Sequence, residues 1–189
     1  MKPRNRVRWL PFVLLAAVIA GGAYLAPSAM CASEPPASAA KPTRATAEEG
    51  VAPPVHTVRS NFSRIVVVRL KRDADLLDGL KTAVAQERIK NAVILSGAGS
   101  LTSYRVHVVS NTVFPPANAF FQGAGPYDLL TATGYIIDGR VHAHIAFSST
   151  EKTLGGHLEP GTRVFTFAII TLGVLAEPAS LQRFDDYTW

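Results

Sequence analysis

Hydrophobic and polar positions divide this chain into three stretches. Residues 9–26 form an uncharged apolar run. Residues 32–60 show no apolar periodicity. From about Phe62 to Leu175, apolar residues recur with the spacings of strands and helices. There, Ile65, Val66, Val67 and Val68 form a β-branched run, which predicts a strand over 64–70. Lys71-Arg72-Asp73 turns the chain, and Asp73 or Asp75 is placed to cap a helix. Leu76, Leu77, Leu80 and Val84 then share one helical face, with Lys81, Glu87 and Arg88 on the other. A short buried strand over 92–95 ends in Ser96-Gly97-Ala98-Gly99-Ser100. In the next strand Tyr104, Val106 and Val108 alternate with Arg105 and His107. After a loop at Phe114-Pro115-Pro116, strands are predicted over 127–137, 140–147 and 163–175. The order β-α-β followed by consecutive strands predicts an α+β domain, a mixed sheet with one or two helices.

The first stretch changes the meaning of the charge. The chain has 189 residues, 48% of them hydrophobic, with a formal charge of +5. Lys2, Arg4, Arg6 and Arg8 account for four of the 19 Lys and Arg, and residues 1–31 hold no acid. The remainder is left with 15 basic residues against 14 acidic ones. A body this close to neutral lacks the positive field that draws proteins to phosphate backbones. A basic start, an apolar run and small residues at Ala26, Ser28, Ala29 and Ala32 match an export segment. Residues 1–31 therefore read as a signal peptide or a membrane anchor, either of which puts the rest of the chain outside the cytoplasm. The expected location is the periplasm, free or tethered to the inner membrane facing it. Cys31, the only cysteine, follows residues that fit a lipidation site poorly, because Met30 stands where a small residue is needed. The fold is thus expected to form without disulfides or cysteine metal ligands. Residues 32–60, rich in Pro, Ala, Ser and Thr, read as a flexible linker. Residues 61–178 form the domain and 179–189 a C-terminal tail.

Candidate chemistry is concentrated in the histidines. His142 and His144 are two apart in a strand and project from the same face. Gly155-Gly156-His157 follows, reading as an imidazole on or beside a glycine turn. Three imidazoles without a cysteine suit zinc with a fourth position open to water or a ligand. The alternative is a pair of polar side chains on a solvated face and a histidine that decorates a turn. His56 in the linker and His107 in its own strand read as solvent-facing, without a role. Gly97-Ala98-Gly99 lacks the third glycine and the helix of a dinucleotide site, so it reads as a tight turn. Asp138-Gly139 is a hairpin signal. Asp128 interrupts an apolar strand and is the remaining candidate acid. No Ser-His-Asp arrangement is evident.

These landmarks carry a family resemblance. Ser96-Gly97-Ala98-Gly99-Ser100-Leu101, Gly125-Pro126-Tyr127-Asp128-Leu129-Leu130, Gly139-Arg140-Val141-His142-Ala143-His144 and Leu154-Gly155-Gly156-His157-Leu158-Glu159-Pro160-Gly161-Thr162 follow in the order of the PPC domain, named for plants and prokaryotes. The last two blocks are the most specific. The resemblance implies a mainly antiparallel sheet and a homotrimer. It also implies a metal site, expected to be zinc, at His142, His144 and His157. Plant members add an AT-hook that enters the DNA minor groove, and this chain has no such segment. Members often carry an acid in the last strand, where this chain has Phe167-Ala168-Ile169-Ile170-Thr171, and that departure puts an enzymatic role in doubt. The resulting expectation is an exported trimer that binds a metal ion or small ligand. A DNA-binding protein, or a zinc-dependent hydrolase with no identifiable general base, stands as the alternative.

Overall fold

The computed structural model describes residues 54–186. The expected export segment and most of the linker lie outside the described residues. Among the described residues, no helix is long and apolar enough to cross a membrane. The elements run β1 (Phe62–Lys71), α1 (Leu76–Gln86), β2 (Ala92–Val109), β3 (Asn118–Ile137), β4 (Arg140–Ser148), β5 (Thr153–Leu158) and β6 (Arg163–Leu175), followed by a 3₁₀ turn at Gln182–Asp185. Among the described residues every strand pairing is antiparallel, as the resemblance implies, and the sheet there is not mixed.

The strand order β1-β6-β2-β3-β4-β5 closes on itself, because β5 also pairs with β2. One long strand makes this closure possible. From Ala92 to Ser103, β2 lies between β6 and β3; at Val106 and His107 its other edge takes β5 instead. The separate strands expected on either side of Gly97 and Gly99 are therefore a single 18-residue strand. The glycines lie inside it rather than in a tight turn. Register shifts flank them, and a Cβ at Gly99 would run into the Phe167 carbonyl of the neighbouring strand. Their contribution is close approach of backbones at a bend.

The helix covers one face of the sheet. Leu76, Leu77, Leu80 and Val84 are buried in a core shared with Leu70, Leu101, Ile136, Phe147, Val164, Ile170 and Leu172. Removing side chains of this size from water is worth about 1.5–3 kcal/mol each, and this core holds the domain without a disulfide. Asp75, not Asp73, is the cap. Its Oδ1 accepts from the Leu77 and Asp78 N–H groups at 3.1 and 3.2 Å. Its Oδ2 accepts from the Gly161 N–H at 2.7 Å, tying the helix start to the loop after β5. Asp73 takes the turn instead, at φ 63°. Asp138 and Gly139, at φ 49° and 78°, make the β3–β4 hairpin turn.

Candidate functional site

Strand β4 alternates cleanly. Ala143, Ile145 and Phe147 are buried in the core, which turns His142 and His144 to the opposite face. Closure of the ring then decides which residues join them. β5 lies between β4 and β2, and the register pairs His157 with His144 on one side and with His107 on the other. Directly paired residues share a face, so four histidines from three strands form one group.

Strand β5 is fitted to this position by its glycines. Gly155 and Gly156 lie within the strand, so the expected glycine turn is not what delivers His157. A Cβ on Gly155 would stand 2.8 Å from the Ile145 carbonyl oxygen, and one on Gly156 would stand 2.7 Å from that of His107. Only glycine lets the two neighbouring backbones close this tightly around His157.

The ring centres of His142, His144 and His157 are 5.5, 5.0 and 5.2 Å apart, for the 142–144, 142–157 and 144–157 pairs. His107, expected to face solvent, is instead stacked on His157 at 4.5 Å with the ring planes 27° apart. Its Nδ1 lies 2.7 Å from Glu159 Oε1, which also comes within 3.6 Å of His157 Nδ1. That second distance is too long for a hydrogen bond, and the buried His157 Nδ1 has no hydrogen-bond partner. His107, His157 and Glu159 also present ligand-type atoms within 4.8 Å of one another.

Burial and mutual repulsion set the protonation of the group. Partial burial lowers the pKa of His144 from its ordinary 6.5, and His142 and His107 nearby lower it further. His157 is lowered by burial first and then by the other three imidazoles, against a smaller opposing effect of Glu159. Both rings are thus held neutral at pH 7, the form that binds a metal.

Among the described residues two carboxylates approach the imidazoles, Glu159 and Asp185, and neither comes from β6. Glu159 arrives with the Leu158-Glu159-Pro160-Gly161 turn. Asp185 arrives from the C-terminal segment, where its Oδ1 is 3.1 Å from His142 Nδ1 and its Oδ2 3.5 Å from Arg140. His142, His144, Thr133, Tyr135, Phe184 and Asp185 line a pocket of about 360 Å³. Asp128 does not line it. That carboxylate sits in register with Ser100 and Ser148 in a separate cleft, which Thr166, Phe165 and Phe167 also line. His56 packs edge-on against Phe184, with ring centres 5.2 Å apart. His107 and Glu159 were missed because only the β2–β5 pairing reveals them. Glu159 stands two residues beyond His157, and that spacing was the available signal.

Comparison with known proteins places this geometry. The bifunctional protein GlmU of Synechococcus sp. (strain JA-3-3Ab) is 27% identical over 110 residues, 58% of this chain but only 17% of that protein's length. The chain thus spans about a sixth of this relative. A metal-containing protein from Archaeoglobus fulgidus superposes with a TM-score of 0.54 at 19% identity, covering 65% of this chain and 86% of that one. A plant- and prokaryote-conserved protein from Pyrococcus horikoshii gives 0.54 at 22% identity, covering 68% and 94%. The two structures show the shared fold. The sequence profile of the Plants and Prokaryotes Conserved (PCC) domain matches residues 58–176, from the last residues of the expected linker to the end of β6, and the chain belongs to that family.

Proposed function

We propose that this chain is an exported, homotrimeric domain that binds one zinc ion through His142, His144 and His157 and offers it to a small ligand. The observation that carries the reading is the mutual spacing of the three rings. Imidazoles sharing one tetrahedral ion, with bonds of about 2.0–2.1 Å, have ring centres roughly 5 Å apart. The observed separations of 5.0 to 5.5 Å fit that value. With Nε2 committed to an ion, Nδ1 would carry the proton on the side of Glu159, whose Oε1 lies 3.6 Å away and would have to move closer to accept it. The Archaeoglobus fulgidus protein's description as metal-containing points the same way. Zinc bound by three imidazoles keeps a fourth position for water or a ligand.

The competing donor set is His107, His157 and Glu159. Ligand lone pairs lie in the ring plane, and stacked rings 27° apart direct theirs side by side rather than toward a common point. Glu159 is moreover already paired with His107 at 2.7 Å. This pair favours a second reading of the function. It resembles a carboxylate-oriented general base and supplies what a zinc-dependent hydrolase would need. The DNA-binding alternative has weaker support, since the body beyond the leader is nearly neutral.

The trimer rests on the outward faces of β1 and β6. Ile65, Val67, Phe165, Phe167 and Ile169 are exposed there, an apolar surface of the kind that marks a subunit contact. Export rests on the pattern of residues 1–31 alone. Elemental analysis of purified wild-type and variant chains tests the metal assignment. Wild type is expected to hold one zinc per chain, His144→Ala to lose most of it, and His107→Ala to keep it. The reverse pattern would move the site to His107, His157 and Glu159.

A further inference from the structure

The family match ends at residue 176, yet the chain returns to the histidines after that point. Residues 179–186, expected as a tail, are fastened to the domain. Leu181 is buried, and its N–H donates to Asn91 Oδ1 at 3.1 Å. The Asn91 side-chain amide donates in turn to the Ala179 carbonyl at 3.2 Å. Asn91 is itself a buried polar residue, and its Oδ1 also accepts from the Asp138 N–H at the β3–β4 hairpin turn. One side chain thus joins the C-terminal segment to the hairpin that starts β4. The Phe184 N–H donates to the Leu181 carbonyl at 2.8 Å, which closes the short turn and presents Asp185 to β4.

We propose that Asp185 is a positioning residue for the metal site, holding the His142 ring with its proton on Nδ1 and leaving Nε2 as the ligating nitrogen. A carboxylate only accepts hydrogen bonds, so at 3.1 Å the His142 Nδ1–H must donate to Asp185 Oδ1. Arg140, two residues before His142, steadies the other carboxylate oxygen at 3.5 Å. Metal-binding histidines commonly give their second ring N–H to such a carboxylate, which fixes ring orientation and makes the ligand more basic. Here the partner comes from outside the family domain, so the segment after β6 completes a site whose ligands all lie within it. The inference rests on the three-imidazole reading above, but Asp185 and His142 can be probed without a metal.

The experiment uses the full chain and two readouts. Long-range ¹H–¹⁵N spectra of the metal-free protein report which nitrogen of His142 carries the proton, and chelator competition reports zinc affinity. Wild type is expected to show His142 protonated on Nδ1. In Asp185→Ala the proton should shift to Nε2 and zinc affinity should fall about 10–100-fold. Asp185→Glu should recover part of both. A folded Asp185→Ala protein with an unchanged His142 tautomer and wild-type zinc affinity would overturn the proposal. If the tautomer shifts but wild type itself takes up no zinc, the positioning of His142 stands and the three-imidazole reading fails.

Discussion

Strands β1 and β6 and strands β4 and β5 contribute inward faces to one core, but their outward faces differ. On β4 and β5 the outward positions hold His142, His144 and His157. On β1 and β6 they hold Ile65, Val67, Phe165, Phe167 and Ile169, with Arg69 over the Phe167 ring and Arg72 over that of Phe165. The inward faces are interchangeable in kind, since each needs only apolar volume. The outward faces are where the two regions diverge, one carrying imidazoles and the other exposed apolar side chains. The core constrains only one side of each strand, and the two regions differ on the side that it leaves free.

The largest effect should come from breaking the apolar face. Val67 is 64% exposed in the single chain, so Val67→Asp should change monomer stability by no more than about 0.5 kcal/mol. In a trimer the same change buries an unpaired charge at each contact. Light scattering should show the particle mass fall to that of one chain, with zinc retained. An unchanged mass would mean that this face is not the contact, and loss of zinc as well would mean that the two surfaces are not independent.

A smaller effect should follow from acid. The lowered pKa values of His144 and His157 mean that the unfolded chain takes up protons at these residues before the folded one does. Without metal, stability should therefore be unaffected by them above pH 6.5 and fall as the pH drops below it. Zinc should be released over the same range, since protons compete for the same nitrogens. Thermal melts of metal-free protein at pH 7.5 and 5.5 check this. A His144→Gln/His157→Gln double variant should lose part of the acid sensitivity, and an identical slope in the variant would contradict the account. The smallest effect is expected at His107, which touches His157 through stacking and Glu159 through a hydrogen bond. His107→Ala should weaken zinc no more than about tenfold, the low end of losses for groups that support ligands.

Much of this arrangement was legible from local pattern. Alternation along 140–147 separates Ala143, Ile145 and Phe147 from the two histidines, and the apolar spacing over 76–84 gives the helix and its buried face. What escaped depended on contacts distant in sequence. His107 and His157 are 50 residues apart and meet only because β2 bends and exchanges β6 for β5 along one edge. The bend also explains the reading of Gly97 and Gly99 as a turn, since a glycine pair marks a sharp turn and a close backbone approach alike. The segment 179–186 looked like a tail because its anchors are single residues, Leu181 and Asn91, with no periodicity to signal them. Composition could not reveal Asp185 for the same reason.

The central claim is that the outward face of the closed ring brings three imidazoles, from His142, His144 and His157, onto one ion. X-ray absorption at the zinc edge, on the full chain loaded with one equivalent, tests it most directly. The account predicts three imidazole ligands and one further oxygen donor, with zinc–nitrogen distances of about 2.0–2.1 Å, and loss of one imidazole in His144→Ala. A spectrum with two imidazoles and a carboxylate that is unchanged in His144→Ala, or a protein that retains no zinc, would contradict it.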